Sequence, residues 1–78
     1  MPGPNLQKAF GLIVRKRREA IGLSQEALAD KAQLHRTYIS LLERGQRNPS
    51  LNVIAALAVA LDTSVNALVG ELDRKASS

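Results

Sequence analysis

Five side chains between residues 36 and 44 have the chemistry needed to bind the edges of nucleic-acid bases. On a helical wheel at about 100° per residue, four of them share one face and the fifth borders it. These residues are Arg36, Thr37, Ser40 and Arg44, with Leu41 at the border. A guanidinium group can grip guanine through two hydrogen bonds, and an apolar side chain can contact the thymine methyl group. The same pattern also fits an ordinary amphipathic helix with a polar outer face.

The opposite face of this segment is apolar and requires a packing partner. Its residues are His35, Tyr38, Ile39 and Leu42. The preceding stretch predicts a helix over residues 25–32, which begins after the N-cap Ser24 and is followed by the turn Gln33-Leu34. Both helices are too short to be stable alone, so they must pack on each other and on the helix before them.

The remaining sequence predicts three further helices and no strand. Asn5, Ser50 and Ser64 are typical N-cap residues, while Gly22 and Gly45 fit the left-handed positions that end helices. The predicted helices span residues 6–21, 25–32, 35–44, 51–61 and 65–69 or beyond. We therefore expect an all-α fold with a flexible N-terminus over residues 1–5, one domain over residues 6–72 and a flexible tail over residues 73–78.

Composition favours a polyanionic partner and excludes several other classes of protein. The 78 residues include 11 Lys and Arg against 7 Asp and Glu, a net charge of +4. Such an excess raises the probability of nucleic-acid binding, although a solvated surface explains it equally well. The chain has only two aromatic residues, Phe10 and Tyr38, which argues against modules that stack bases on aromatic platforms.

The sequence contains no signal for a membrane, a cofactor or a catalytic site. It has no cysteine, no apolar run near the ~18 residues that span a bilayer, and no signal-peptide layout. The one histidine, His35, is expected to turn inward in a capping or packing role, and the acidic residues are scattered. We therefore expect a cytoplasmic protein that is not an enzyme, with neither a bound metal nor a cofactor.

Residues 22–51 carry a set of short motifs that together resemble the XRE/Cro/C1-type helix-turn-helix family. The matching pieces are Gly22-Leu23-Ser24-Gln25-Glu26, Leu28-Ala29, Tyr38-Ile39-Ser40, Leu42-Glu43-Arg44-Gly45 and Pro49-Ser50-Leu51, and the pattern continues with Leu57-Ala58 and Leu61. The resemblance covers about residues 8–70. Residues 43–51 look most like restriction-modification controller proteins, but similar segments occur in other stand-alone regulators.

This resemblance implies a five-helix lambda-repressor-like domain in which the third helix is the recognition helix. The implied base contacts are Arg36, Thr37, Ser40 and Leu41. The implied phosphate contacts are Gln25, Arg44, Arg47 and Asn48. For Gln25 there is also a physical reason, since a helix N-terminus offers free N–H groups and a positive dipole end to an anion.

The resemblance also implies that Arg18 and Glu43 form a structural ion pair between the first and third helices, which removes Arg18 from the DNA contacts. Two positions depart from the family pattern. Gln33 replaces the usual glycine of the turn, and a left-handed backbone there would cost about 1 kcal/mol or more. Arg17 stands where relatives often have an aliphatic residue, which makes the packing of the first helix less defined there.

The fourth predicted helix is apolar on nearly every side. One wheel face, which we expect to pack on the core, consists of Leu51, Ile54, Leu57, Ala58 and Leu61. A helix that is apolar all round is normally buried on two sides, which predicts a homodimer with a twofold axis. A central helix wrapped by the other four would also fit. The predicted dimer interface comprises Val53, Ala56, Val59, Ala60, Val65, Leu68 and Val69.

These observations predict a homodimeric transcriptional regulator that binds double-stranded DNA in the bacterial nucleoid. The dimer would occupy a pseudo-palindromic operator and block or recruit RNA polymerase. The alternative is an antitoxin or protein-binding adaptor with the same fold. The polar outer face of the third helix disfavours that alternative, because the centres of protein interfaces are usually apolar and aromatic.

Overall fold

The protein is an all-α bundle in a computed structural model that describes residues 5–77. Its helices are α1 (Leu6–Ala20), α2 (Gln25–Ala32), α3 (Arg36–Glu43), α4 (Leu51–Ala60) and α5 (Val65–Ser77). The described residues contain no strand. The predicted flexibility of residues 1–4 and of residue 78 concerns positions outside the described residues. The five helices confirm the predicted fold class.

Side-chain caps set where α1, α2, α4 and α5 begin, whereas α3 has no side-chain capping hydrogen bond. The Asn5 side chain accepts a hydrogen bond from the backbone N–H of Lys8 at 3.0 Å. Ser24, Ser50 and Ser64 make the equivalent bond to the residue three positions later. Each cap satisfies one of the backbone N–H groups that a first helical turn leaves without a partner. The helix starts therefore follow from the sequence.

Left-handed residues end the first three helices. Gly22 and Gly45 have φ angles of 76° and 77°, as their positions predict. Gln33 closes α2 with φ 58° and ψ 44°. The unfavourable conformation foreseen for Gln33 is therefore present in the turn between α2 and α3.

The fifth helix continues beyond Val69, as the prediction of residues 65–69 or beyond allowed. It reaches Ser77, so residues 73–77, predicted as a flexible tail, have helical backbone. Arg17 of α1, which stands where relatives often have an aliphatic residue, forms an ion pair with Glu71 of α5. Arg17 Nε and Glu71 Oε2 are 3.3 Å apart. This bond joins the first helix to the last.

The core is largely aliphatic, with Phe10 as a buried aromatic side chain. It lies where α1 packs against α3 and α5, and α2 against α3 and α4. Its fully buried large side chains are Val14, Leu28, Ile39, Leu42, Leu57, Leu61 and Leu68. These contacts fix α2 and α3 against the long first helix. The outer face of α3 is thereby held in one orientation.

The described residues contain no single helix that is long and apolar enough to cross a bilayer. By length and composition alone, only α4 taken together with residues 65–74 reaches that threshold, and this pair is bent by 105°.

Candidate nucleic-acid interface

The outer face of α3 is most accessible at its first turn. Arg36 and Thr37, in the first turn, are exposed, while Ser40 and Leu41 are half-buried. The side chains of Ser40 and Leu41 can therefore be contacted only by a partner that lies close along the helix. The face combines one guanidinium group, two hydroxyl groups and one apolar side chain. These can bind the acceptors, donors and methyl groups that base edges present in a major groove.

A second cationic region follows the end of α3. Arg44, Arg47 and Asn48 are all exposed. Each arginine side chain donates one hydrogen bond to a nearby carbonyl. Arg44 donates from Nε to the carbonyl of Ser40 at 3.4 Å, and Arg47 donates from Nη1 to the carbonyl of Gln46 at 2.8 Å. Both guanidinium groups keep N–H donors free for an anion.

Arg18 and Glu43 form a buried two-point ion pair at the base of this surface. Arg18 Nε lies 2.7 Å from Glu43 Oε2, and Nη2 lies 3.0 Å from Oε1. Arg18 also donates from Nη1 to the carbonyl of Leu23 at 2.9 Å. The hydrogen bond to Glu43 raises the pKa of Arg18 further above its ordinary value. The pair lies where the resemblance placed it, and it ties α1 to the end of α3.

Gln25, the first residue of α2, joins the same cluster. Its Nε2 donates to Glu43 Oε1 at 3.0 Å. Gln25 also lines an open groove together with Arg36. The remaining residues of this groove are Arg18, Ser24, Glu26, Ala27 and Asp30. The start of α2 and the start of α3 thus open onto one surface.

His35 does not turn inward, contrary to expectation. It is the N-cap residue of α3, its side chain makes no capping hydrogen bond, and its backbone is extended with φ −81° and ψ 143°. The helical wheel that placed His35 beside Ile39 assumed helical geometry at a residue that lies before the helix. His35 is exposed at the edge of the candidate interface.

Residues 14–68 match the helix-turn-helix family HTH_3. This match covers well over half of the 78 residues. The chain belongs to the helix-turn-helix family. The motif resemblance noted in the sequence is confirmed, and the α2–turn–α3 unit is the element for which the family is named.

Restriction-modification controller proteins are among the similar proteins. The control protein C.SmaI of Serratia marcescens is 50% identical over 56 residues, which cover 72% of this chain and 67% of that protein. The crystal structure of the controller protein C.AhdI from Aeromonas hydrophila has a TM-score of 0.77 and 50% identity, covering 82% of this chain and 96% of the other. The controller protein C.Esp1396I, solved as a tetramer in complex with its natural 35 base-pair operator, has a TM-score of 0.84 and 30% identity, covering 94% and 96%.

The residues of the predicted dimer interface lie in three different environments within the protomer. Ala60 and Leu68 are buried within the protomer's own core. Leu51, expected in the core, is 81% exposed, and Val59 is 79% exposed. Val53 and Ala56 are half-buried against the core. Val65 and Val69 on α5 remain exposed.

Gly11 is a residue of this helix-turn-helix scaffold that sequence reasoning missed. A Cβ at Gly11 would lie 2.7 Å from the carbonyl oxygen of Glu43, closer than side chains approach backbone. The absence of a side chain lets α1 touch the backbone at the end of α3. A glycine in the middle of a predicted helix is the signal that could have revealed it.

Within the described part of the chain, no three His, Cys, Asp or Glu side chains are grouped so that they could hold a metal ion.

Proposed function

We propose that this protein is a homodimeric regulator of transcription that binds double-stranded DNA at a specific operator. The observation that carries the proposal is the exposed polar face of α3 in a helix-turn-helix unit that belongs to a family with controller proteins among its relatives. One such relative, C.Esp1396I, was solved with its operator DNA. We assign to this chain the same kind of activity.

In this proposal α3 lies in the major groove and its first turn reads bases. Arg36 donates two hydrogen bonds to guanine, Thr37 and Ser40 bind base edges, and the Leu41 side chain packs on a thymine methyl group. Arg36 and Thr37 reach furthest because they are exposed. Specificity therefore depends chiefly on the start of the helix.

Residues at the two ends of the α2–turn–α3 unit bind phosphates on either side of the groove. Gln25 binds one phosphate at the N-terminus of α2, and Arg44, Arg47 and Asn48 bind others beyond α3. Such contacts set the position and the affinity of the complex, whereas base contacts set the choice of sequence. Affinity falls steeply with salt, because each phosphate that a cation neutralises releases counterions.

The dimer forms through the apolar residues that a single protomer leaves exposed at α4 and α5. We assign the interface to Val59, Val65 and Val69, with Leu51 as an addition to the residues predicted from sequence and with Val53 and Ala56 at its margin. Exposed apolar side chains at this density on so small a domain indicate a binding surface. A twofold dimer presents its two recognition helices to half-sites about one helical turn, ~34 Å, apart.

The biological role we assign is that of a restriction-modification controller acting in the bacterial cytoplasm on nucleoid DNA. Occupancy of the operator would block RNA polymerase or recruit it through direct contact. The role requires no catalysis and no cofactor. The amount of dimer, rather than a small ligand, would set the occupancy.

Selection of random duplex DNA by the purified protein at moderate salt tests this proposal. We expect a motif with twofold symmetry whose half-site centres are separated by about one helical turn. Recovery of no motif, with only weak salt-sensitive binding, would contradict sequence-specific regulation. That result would favour the antitoxin or adaptor role instead.

A further inference from the structure

Three helices contribute one side chain each to a single hydrogen-bonded cluster beneath the proposed DNA surface. Arg18 of α1 binds both carboxylate oxygens of Glu43 at the end of α3, at 2.7 and 3.0 Å. Gln25 of α2 donates to the same carboxylate at 3.0 Å. The Glu43 side chain is 3% exposed. Arg18 and Gln25 therefore take the place of water around this buried carboxylate.

The chemistry of Glu43 determines which way the Gln25 amide faces. An ionised carboxylate only accepts hydrogen bonds, whereas a glutamine amide has a donor end and an acceptor end. Glu43 forms a salt bridge with Arg18 in which both carboxylate oxygens accept hydrogen bonds from the guanidinium group. Only the Nε2 end of Gln25 can therefore bind Glu43, and the reversed amide would bring two oxygens together.

This orientation matters because a DNA phosphate, like Glu43, only accepts hydrogen bonds. Nε2 of Gln25 carries two hydrogens, one of which is directed at Glu43. The second hydrogen remains available at the N-terminus of α2, on the groove that Gln25 shares with Arg36. An amide free to rotate would present Oε1 to the phosphate for part of the time.

We propose that Glu43 is a positioning residue for DNA binding, which holds the Gln25 amide with its free N–H ready for a backbone phosphate. The inference rests on the proposed function and deepens it. In this view the Arg18–Glu43 pair is more than a brace between α1 and α3. It pre-organises a donor on α2 and so removes part of the ordering cost of binding.

A double-mutant cycle measured by DNA affinity tests the proposal. The first background is the wild-type protein, and the second carries Arg18→Met with Glu43→Leu, an apolar replacement of the kind that buried ion pairs often tolerate. Gln25→Ala is introduced into both, and each protein is titrated with the duplex selected for the wild type. Arg47→Ala, in the loop that follows α3, is the matched control in both backgrounds.

We expect Gln25→Ala to weaken binding about tenfold in the wild type, as for the loss of a hydrogen bond to a charged group. In the background without the pair the same change should weaken binding by only about twofold, because most of the orientation is already lost. Arg47→Ala should weaken binding equally in both backgrounds. Equal losses for Gln25→Ala in both backgrounds would overturn the positioning role while leaving the proposed function intact.

A measurement on the wild-type chain decides the matter even if the paired replacement unfolds the protein. The side-chain amide of Gln25 should show slow hydrogen exchange and restricted ¹⁵N relaxation by NMR, with one of its two hydrogens protected. Gln33 and Gln46, which are exposed, provide reference amides in the same spectrum. A Gln25 amide as mobile as those two would overturn the proposal.

Discussion

The Cα atom of Lys8 lies 2.8 Å from the position that a Cβ atom on Gly45 would occupy. The first turn of α1 therefore rests directly on the residue that follows the C-cap of α3. Gly45 also has a φ of 77°, so both its conformation and its surroundings require glycine. Gly11 and Gly45 thus mark two places where α1 contacts the backbone at the end of α3, the proposed recognition helix.

Replacing Gly45 by alanine should therefore destabilise the fold by about 2–5 kcal/mol, the sum of the costs of a left-handed residue and of an overpacked contact. Gly22→Ala is the matched control, because Gly22 has a φ of 76° but nothing within 4 Å of its missing Cβ. It should cost only about 1 kcal/mol. The free energies of unfolding of the two variants, measured in urea, separate the cost of the left-handed conformation from the cost of the contact with Lys8. Equal decreases in the free energy of unfolding would show that this contact does not affect stability.

Gln33→Gly should stabilise the protein by about 0.5–1 kcal/mol. Its φ of 58° is strained for a side chain with a Cβ, and relief of that strain exceeds the extra entropy that glycine gives the unfolded chain. Gln46→Gly is the control, since Gln46 is exposed but does not have a positive φ. Thermal unfolding should raise Tm for the first variant only. A lower Tm for Gln33→Gly would refute the assignment of strain to the turn.

Arg36→Ala and Arg47→Ala should impair DNA binding in different ways. Loss of the Arg36 guanidinium should cost about 1–3 kcal/mol on the selected operator and relax the preference at one base pair. Loss of the Arg47 guanidinium should weaken binding to all duplexes alike and reduce the salt dependence by about one counterion. Titrations with the operator and with single-base variants distinguish the two. A uniform loss for Arg36→Ala would make it a phosphate contact.

Val59→Glu should weaken dimerisation at least about tenfold, because it buries a charge without a partner at the proposed interface. Leu12→Glu on α1 introduces the same charge at another exposed apolar residue, with Leu12 41% exposed, and should leave dimerisation unchanged. Sedimentation equilibrium over a range of concentrations provides the comparison. Equal dissociation constants for Val59→Glu and the wild type would place the interface elsewhere.

The helices were largely predictable from sequence because their ends are encoded locally. Serine caps and left-handed glycines act through bonds to residues no more than a few positions away, so helix starts need no knowledge of the tertiary fold. The predicted ends of α1 and α4 differ from the observed ones, Ala20 and Ala60, by a single residue. The extension of α5 runs against the local signal, because Gly70 directly follows Val69, where a glycine often ends a helix. Gly70 does not have a positive φ, and the helix continues through it.

Burial was predicted less well, because a helical wheel gives an angle but not a depth. Leu51 shares its wheel face with Leu61, yet it lies in the first turn of α4 beyond the reach of the core and is 81% exposed. Ala60 lies at the opposite end of α4 and is buried in the core, although the wheel placed it on the outer side. The wheel also failed at His35, whose extended backbone precedes α3. The cluster of Gln25 with Glu43 depends on how three helices meet, which periodicity does not describe.

The most direct test of the central proposal is the affinity of the protein for duplexes in which the spacing of the two selected half-sites is varied. A twofold dimer with two recognition helices should bind most tightly at a centre-to-centre spacing of about 10–10.5 base pairs. Insertion of half a turn should abolish that advantage and leave the affinity of a single half-site. Equal affinity for a single half-site and for the full operator would contradict the account, because one α3 would then be sufficient.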